Sequence, residues 1–220
     1  MHGDSGQAIV EAALVLPLCI VLILCAVQIA QLQQARLLVE YAAFNAARAG
    51  VVRDGDNGTE GTSGPMHDAA ALSLLSSFGR TDGFAAFGRT WAELRAREAA
   101  LKAARLPLLQ ISVLNPRRAD FARFGDHLDG QEIDFDDVRP QVTDANLLSV
   151  QVRYLYELRV PLANRLIQTG WAALRRRSPR PAFDVQALAA LARRGRFFVP
   201  VEAFYTMRMQ SNPFLRWAAP

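Results

Sequence analysis

The sequence predicts an α+β protein, in which a long N-terminal helix packs on the antiparallel sheet of a head domain that also contains inserted helices. Three observations support this fold class. Residues 7–52 follow a helical pattern, three later segments alternate apolar and polar side chains, and helical patterns lie between the last two of these segments. Helix first and sheet later is an order typical of α+β proteins.

The composition limits the classes of protein to which the chain can belong. Its 220 residues suit one globular domain with an appendage, and a content of 51% hydrophobic against 21% charged residues excludes general disorder. Two cysteines exclude a disulfide-stabilised scaffold, and three histidines leave little for a zinc site. The net charge of +4 is too small for a dedicated nucleic-acid-binding protein.

Residues 7–52 are predicted to form a single helix with two different halves. Ala12–Leu32 contains only two strongly polar residues, Gln28 and Gln31, and a bilayer is crossed by roughly 20 apolar residues. At about 1.5 Å per residue the whole helix would be about 70 Å long, so its second half must lie beyond a bilayer. That half is amphipathic, with an apolar stripe formed by Leu32, Ala35, Val39, Ala42, Ala46 and Ala49.

Two residues disturb this helix near its beginning. Pro17 lacks a backbone N–H and clashes with the preceding turn, which predicts a kink or local melting. Glu11 lies at the entrance of the apolar run, where a carboxylate is costly to bury. Two interpretations of Glu11 remain open: it snorkels to the lipid headgroups, or it is retained for a cation that a partner supplies.

The residues at both ends of this helix resemble those of a known family. Gly6-Gln7-Ala8-Ile9-Val10-Glu11 is followed by Ala12-Ala13-Leu14-Val15-Leu16-Pro17, and the helix ends in Ala46-Ala47-Arg48-Ala49-Gly50. A glycine, a glutamate five residues later, an early Leu-Pro and a final Ala-Ala-Arg-Ala-Gly resemble the TadE-like family. Its members are minor pseudopilins of tight-adherence (Flp) pili, a branch of the type IV pili. The resemblance covers about residues 6–50.

The resemblance implies processing, assembly and a place in the cell. A prepilin peptidase would cut between Gly6 and Gln7, removing residues 1–6 as a leader peptide and leaving Glu11 as the fifth residue. The carboxylate of one subunit would then neutralise the new Gln7 amine of its neighbour when the helices stack. Glu11 and Pro17 are the expected assembly residues, and the partners are other pilin-like subunits and the pilus assembly machinery. A single span would hold the protein in the bacterial inner membrane, with a pilin-like head in the periplasm or outside the cell, or incorporated in the pilus.

The rest of the chain divides at a connector. Residues 53–66 are rich in Gly, Asp, Ser and Thr and predict a flexible linker, and residues 67–220 are predicted to form the head. Helices are expected at 67–78, 162–175 and 184–194, and a further one at 90–106 because Thr90 and Glu93 have capping-box spacing.

Three strands in the head are expected to pack one face against the amphipathic half of the long helix. The apolar faces are Leu109, Ile111 and Val113; Val150, Val152, Tyr154, Tyr156, Leu158 and Val160; and Val199, Val201, Ala203, Tyr205, Met207 and Met209.

Charge in the head is concentrated in two segments, both candidate interaction surfaces. The acidic segment at 126–137 has no Arg or Lys and includes Asp134, Asp136 and Asp137. The basic segment at 175–196 includes Arg175, Arg176, Arg177, Arg193, Arg194 and Arg196. The alternatives are solvated loops, two segments that screen one another, a contact between subunits, and binding of nucleic acid or anionic lipid through Trp171 and the arginines. Calcium binding at the acidic segment has no loop motif to support it.

No catalytic or cofactor-binding motif is found in the sequence. It lacks the GxSxG, HExxH, P-loop and GxGxxG patterns, and Cys19 and Cys25 lie on different faces of one helix, so they cannot form a disulfide with each other. We therefore expect a structural subunit and not an enzyme, without cofactor or metal.

Three functions follow from the sequence. The leading one is a TadE-like minor pseudopilin. The second is an uncleaved single-pass membrane scaffold of a pilus or secretion machine. The third is a surface module that binds nucleic acid or an anionic polymer through the arginines, although nucleic acid is not expected among the partners.

Overall fold

The computed structural model describes residues 4–58, 61–79, 82–125, 128–175 and 185–220. It has the predicted α+β fold, with a long N-terminal helix and a three-stranded antiparallel sheet in the order β1-β2-β3. The strands are β1 (Leu109–Asn115), β2 (Leu147–Leu158) and β3 (Phe197–Arg208). The helices are α1 (Asp4–Gly50), α2 (Pro65–Leu74), α3 (Phe84–Ala103), α4 (Arg118–Phe124), α5 (Pro140–Thr143), α6 (Ala163–Arg175) and α7 (Val185–Arg193).

Helix α1 is continuous from Asp4 to Gly50, which confirms the prediction of one long helix. Helical structure runs through Pro17 without a break, so the expected local melting is wrong. Proline removes a single backbone hydrogen bond, which a helix of this length tolerates. A kink at Pro17 stays a prediction. The helix ends where the carbonyl of Gly50 accepts hydrogen bonds from the N–H groups of Arg53 and Gly55, at 3.1 and 3.0 Å.

The sheet forms as the alternating pattern predicts. Strands β1 and β2 are antiparallel, with Leu109 opposite Tyr154 and Ile111 opposite Val152. Between β2 and β3, the hydroxyls of Ser149 and Thr206 lie 2.8 Å apart on the polar face. The face of β2 that was predicted to be buried is buried along its length, whereas in β3 the alternation ends at Tyr205, which is partly exposed.

The chain forms two compact units. One comprises Met1–Gln34 and Tyr156–Val199, and the other comprises Ala35–Leu155 and Pro200–Pro220. The core of the second unit is built around the amphipathic half of α1. Its predicted stripe is buried at Ala35, Val39, Ala42 and Ala46, as expected of an apolar helix face packed on a sheet.

Close contacts fix this half of α1 in the second unit. The ring of Phe44 meets that of Tyr205 on β3 edge to face, with centroids 5.2 Å apart. The Asn45 amide donates a hydrogen bond of 2.8 Å to the Ser73 hydroxyl on α2. The amphipathic half of α1 therefore contacts both the sheet, at β3, and the helix α2.

Helix α3 is longer at its beginning than the sequence predicted. The capping-box spacing placed its start at Thr90, but the helix begins at Phe84 and ends at Ala103, so Thr90 lies inside it and is buried. The residues from Phe84 to Arg89 contain no proline, and the single Gly88 weakens a helix without ending it. The capping-box spacing of Thr90 and Glu93 therefore does not mark the beginning of a helix.

The segment 53–66, expected to be a flexible linker, makes several contacts within the second unit. The Asp54 carbonyl accepts a hydrogen bond of 3.0 Å from Phe214, and the Asn57 amide donates one of 3.2 Å to the carbonyl of Ile111 on β1. Gly61 has a left-handed φ of +67°, and a Cβ there would meet the Ile111 carbonyl oxygen at 1.7 Å. The domain boundaries at 6, 52 and 66 stay predictions.

Candidate functional site

The first half of α1 presents apolar side chains to its surroundings. Residues Val10 to Ile20 are all exposed, and large side chains such as Leu14 and Leu22 are 73% and 60% exposed. A soluble monomer rarely exposes a continuous apolar surface of this extent. By length and composition, α1 is a helix that could cross a membrane, and it lies near the N-terminus.

The residues predicted for processing and assembly all lie in this half of the helix. Gly6 and Gln7 fall in the first turns of α1, and Glu11 follows one turn later at an exposed position. Pro17 is exposed in the helix interior. Their roles in cleavage and assembly stay predictions.

The close packing of the second half of α1 explains why small residues lie at its end. Ala42, Ala43, Ala46 and Ala47 are fully buried. A Cβ on Gly50 would lie 2.7 Å from the Cδ2 of Leu148 on β2 and 3.0 Å from the Met66 side chain on α2. The Ala-Ala-Arg-Ala-Gly sequence therefore permits a close approach of helix and sheet, and its arginine, Arg48, remains exposed.

Gln28, which sequence reasoning treated only as a polar interruption of the span, has a structural contact. It is completely buried within the first unit, and its Oε1 accepts a hydrogen bond of 2.8 Å from the backbone N–H of Val160. The Tyr156 phenol is a second neighbour. Burial raises the pKa of Tyr156, although Arg159 and Gln28 act in the opposite direction. The sequence contained a signal for this contact. Gln28 places an amide in an otherwise apolar helix, and such groups usually have a hydrogen-bond partner.

Three aspartates of the acidic segment, Asp134, Asp136 and Asp137, lie in local turns. The Asp134 carboxylate accepts a hydrogen bond of 3.0 Å from the N–H of Asp136. The Asp137 carboxylate accepts one of 2.6 Å from the Arg139 side chain, and this bond and a second one from the Arg139 N–H lower the pKa of Asp137. In the described part of the chain, no group of three or more His, Cys, Asp or Glu side chains could hold a metal ion.

The described arginines of the basic segment belong to the first unit, whereas the acidic segment belongs to the second. Arg175 is half-buried at the end of α6, and Arg193 and Arg194 are exposed. Arg196 donates a hydrogen bond of 2.8 Å to Glu157 and lies over the Phe198 ring at 5.0 Å. Arg176 and Arg177 lie outside the described residues. An interaction role for either segment stays a prediction.

A cleft between α6 and α7 has an apolar lining. Trp171 and Ala172 line it from α6, Leu188 and Ala192 from α7, and Phe197 from the start of β3. Among the described residues that line it, Arg193 is the titratable one.

A partly buried polar network between α2 and α3 also escaped sequence reasoning. The Nε2 of the fully buried His67 lies 2.6 Å from the Oε1 of Glu98, and Arg95 donates to Glu98 and to Asp68 at 2.9 and 2.6 Å. Burial alone would raise the pKa of Glu98, but the contacts with His67 and Arg95 outweigh it and lower that pKa below its ordinary 4.5. The network holds two helices together within the second unit.

Comparison with known proteins identifies the N-terminal helix. The model of the family described as TadE-like protein matches residues 6–48, almost the whole of α1. No curated protein and no solved structure matches the chain. Over residues 6–48 the chain is similar to TadE-like proteins, as the sequence resemblance indicated. The match indicates a similarity to a family of membrane proteins associated with Tad pili.

Proposed function

We propose that this chain, TadE-like along its first helix, is a minor pseudopilin: a membrane-anchored structural subunit of a tight-adherence (Flp) pilus. The observation that carries the proposal is the division of α1 into two environments. Its first half is exposed and apolar, and its second half is built into the folded second unit. The same helix thus offers a surface for lipid and for other pilin-like helices and also forms part of the folded head.

Cleavage between Gly6 and Gln7 by a prepilin peptidase supplies the chemical change that allows assembly. Hydrolysis of this peptide bond leaves a carboxylate on the leader and a new α-amine on Gln7. At neutral pH this amine is mostly protonated, because α-amines have a pKa of about 7.7–8.0. Glu11 then lies four residues from the new terminus, at the polar end of the apolar run.

The assembly step pairs the Glu11 carboxylate of one subunit with the Gln7 amine of the next. Between stacked helices both charges leave water, and removing either partner leaves the other buried and uncompensated. The pair therefore favours one register of stacking. Helices shifted along one another would bury the two charges separately, and such an arrangement is unfavourable.

The intact mass of the protein extracted from membranes tests this function directly. The full chain is expressed with and without a prepilin peptidase, and a Gly6→Leu variant provides the matched control. We expect the peptidase to remove Met1–Gly6 from the parent chain and to leave the variant unshortened. An unshortened parent chain in both samples would favour the second function, an uncleaved single-pass scaffold.

A further inference from the structure

Helix α6 in the first unit is amphipathic, but its leucines point away from the protein. Leu162, just before the helix, and Leu166 and Leu174 within it are 55%, 56% and 74% exposed. The polar Gln168 is buried instead, and Trp171 and Ala172 on the inner side line the cleft with α7. A surface helix normally buries its apolar side. The three leucines, here called the leucine stripe, form an apolar surface that the described residues leave uncovered.

The position of α6 relative to the span indicates what covers this surface. Gln28, whose Oε1 binds the N–H of Val160, lies four residues before the predicted end of the span at Leu32. Val160 lies three residues before the beginning of α6 at Ala163. Four residues of helix correspond to about 6 Å, so this hydrogen bond holds the start of α6 at the depth where a bilayer meets water. At this depth an apolar helix face meets lipid.

The charge of the first unit specifies the kind of lipid. Residues 156–199 contain nine arginines and two acidic residues, whereas the rest of the chain has more acidic than basic residues. Arg165 is exposed on the flank of α6, and Arg193 and Arg194 are exposed after α7. Guanidinium groups bind phosphate oxygens in a bidentate manner, and basic segments are attracted to anionic bilayer surfaces.

We infer that α6 is an interfacial helix, which inserts its leucine stripe into an anionic phospholipid bilayer while the neighbouring arginines bind the headgroup phosphates. Helices with one apolar face and a polar, basic face lie in the plane of the interface, with the apolar face about 5–10 Å below the headgroups. Together with α1 this makes two attachments, which would fix the first unit against the membrane surface. The inference rests on the proposed insertion of α1.

Depth-dependent fluorescence quenching in proteoliposomes tests this inference on the full-length chain. Single-cysteine variants in a Cys19→Ala, Cys25→Ala background carry an environment-sensitive label at Leu174→Cys or at Thr169→Cys. These positions are five residues apart and so point about 140° apart on a helix. A third variant keeps Cys19 and has only Cys25→Ala, so that its label reports on the span. The vesicles contain phosphatidylcholine and phosphatidylglycerol, with quenchers attached to the upper acyl chains or to the chain ends.

We expect the label at 174 to be quenched from the upper acyl chains about twofold more strongly than the label at 169, and the label on Cys19 to be quenched as well. In vesicles of phosphatidylcholine alone, quenching at 174 should fall, because the arginines lose the added negative charge of the surface.

The alternatives give different results. Quenching at Cys19 together with equally weak quenching at 174 and 169 would overturn the inference but would still support the insertion of α1. The leucine stripe would then be a surface for a protein partner. Absence of quenching at Cys19 would contradict the insertion of α1 and with it the proposed function. Equal quenching at 174 in neutral and anionic vesicles would overturn the role of the arginines.

Discussion

At the scale of single residues, changes at two glutamates of α1 can distinguish an effect on assembly from an effect on helix stability. Glu11 lies at the entrance of the apolar half of α1, whereas Glu40 lies beyond the predicted span and accepts a hydrogen bond of 3.3 Å from Arg36. Both side chains are exposed, and exposed pairs such as Arg36–Glu40 contribute little to stability, about 0.3–0.5 kcal/mol. A change at Glu40 therefore serves as the control for a change at Glu11.

We expect Glu11→Gln to lower pilus assembly by about tenfold, which corresponds to a loss of about 1.4 kcal/mol per subunit contact. The amide preserves size and helical geometry but carries no charge to neutralise a neighbouring amine. Pili sheared from cells and the protein remaining in membranes would both be quantified by immunoblot. Glu40→Gln should assemble normally, and normal assembly of Glu11→Gln at equal membrane levels would refute the pairing.

At the scale of elements, Gly50 determines how closely α1 approaches β2 and α2. Its missing side chain leaves room for Leu148 and Met66, both of which are buried and can move little. We expect Gly50→Ala to lower the free energy of unfolding by about 1–3 kcal/mol, the usual cost of overpacking a core. Thermal unfolding in detergent, followed by circular dichroism, measures this as a lower midpoint.

Gly88 in α3 provides the matched control, because a Cβ there would meet nothing within 4 Å. Gly88→Ala should raise stability by about 0.5–1 kcal/mol, since alanine loses less backbone entropy in a helix. A Gly50→Ala variant that is as stable as the Gly88→Ala variant would show that the helix–sheet contact is not tight.

The same elements show how far the sequence predicts the structure. Periodicity located α1, the three strands, α6 and α7 to within a few residues, because a repeating pattern of burial is a local property of the chain. It did not predict that α6 buries Gln168 and exposes Leu166, nor that Gln28 and His67 would be buried with partners distant in the sequence. These features depend on tertiary contacts, which local patterns do not encode.

At the scale of the whole molecule, the two halves of α1 lie in different surroundings. The first half presents a surface suited to lipid, and the second half packs with one face into the folded second unit. Both halves nevertheless carry similar exposed side chains. Leu18 and Leu22 lie one turn apart within the predicted span, and Leu37 and Tyr41 lie one turn apart beyond it. All four side chains are exposed. If α1 crosses a bilayer, arginine should be costly at the first pair and harmless at the second.

We expect the double change Leu18→Arg with Leu22→Arg to cost about 5–7 kcal/mol of insertion free energy, because an arginine near the centre of a span costs about 2.5–3.5 kcal/mol. The variant should leave the membrane pellet on alkaline carbonate extraction or be degraded, while the Leu37→Arg with Tyr41→Arg variant remains in it. Protease added to spheroplasts should digest the head of the retained variant, since a pilus subunit presents its head outside the cytoplasm. Equal retention of the two variants would mean that the apolar half of α1 is covered by protein and not by lipid.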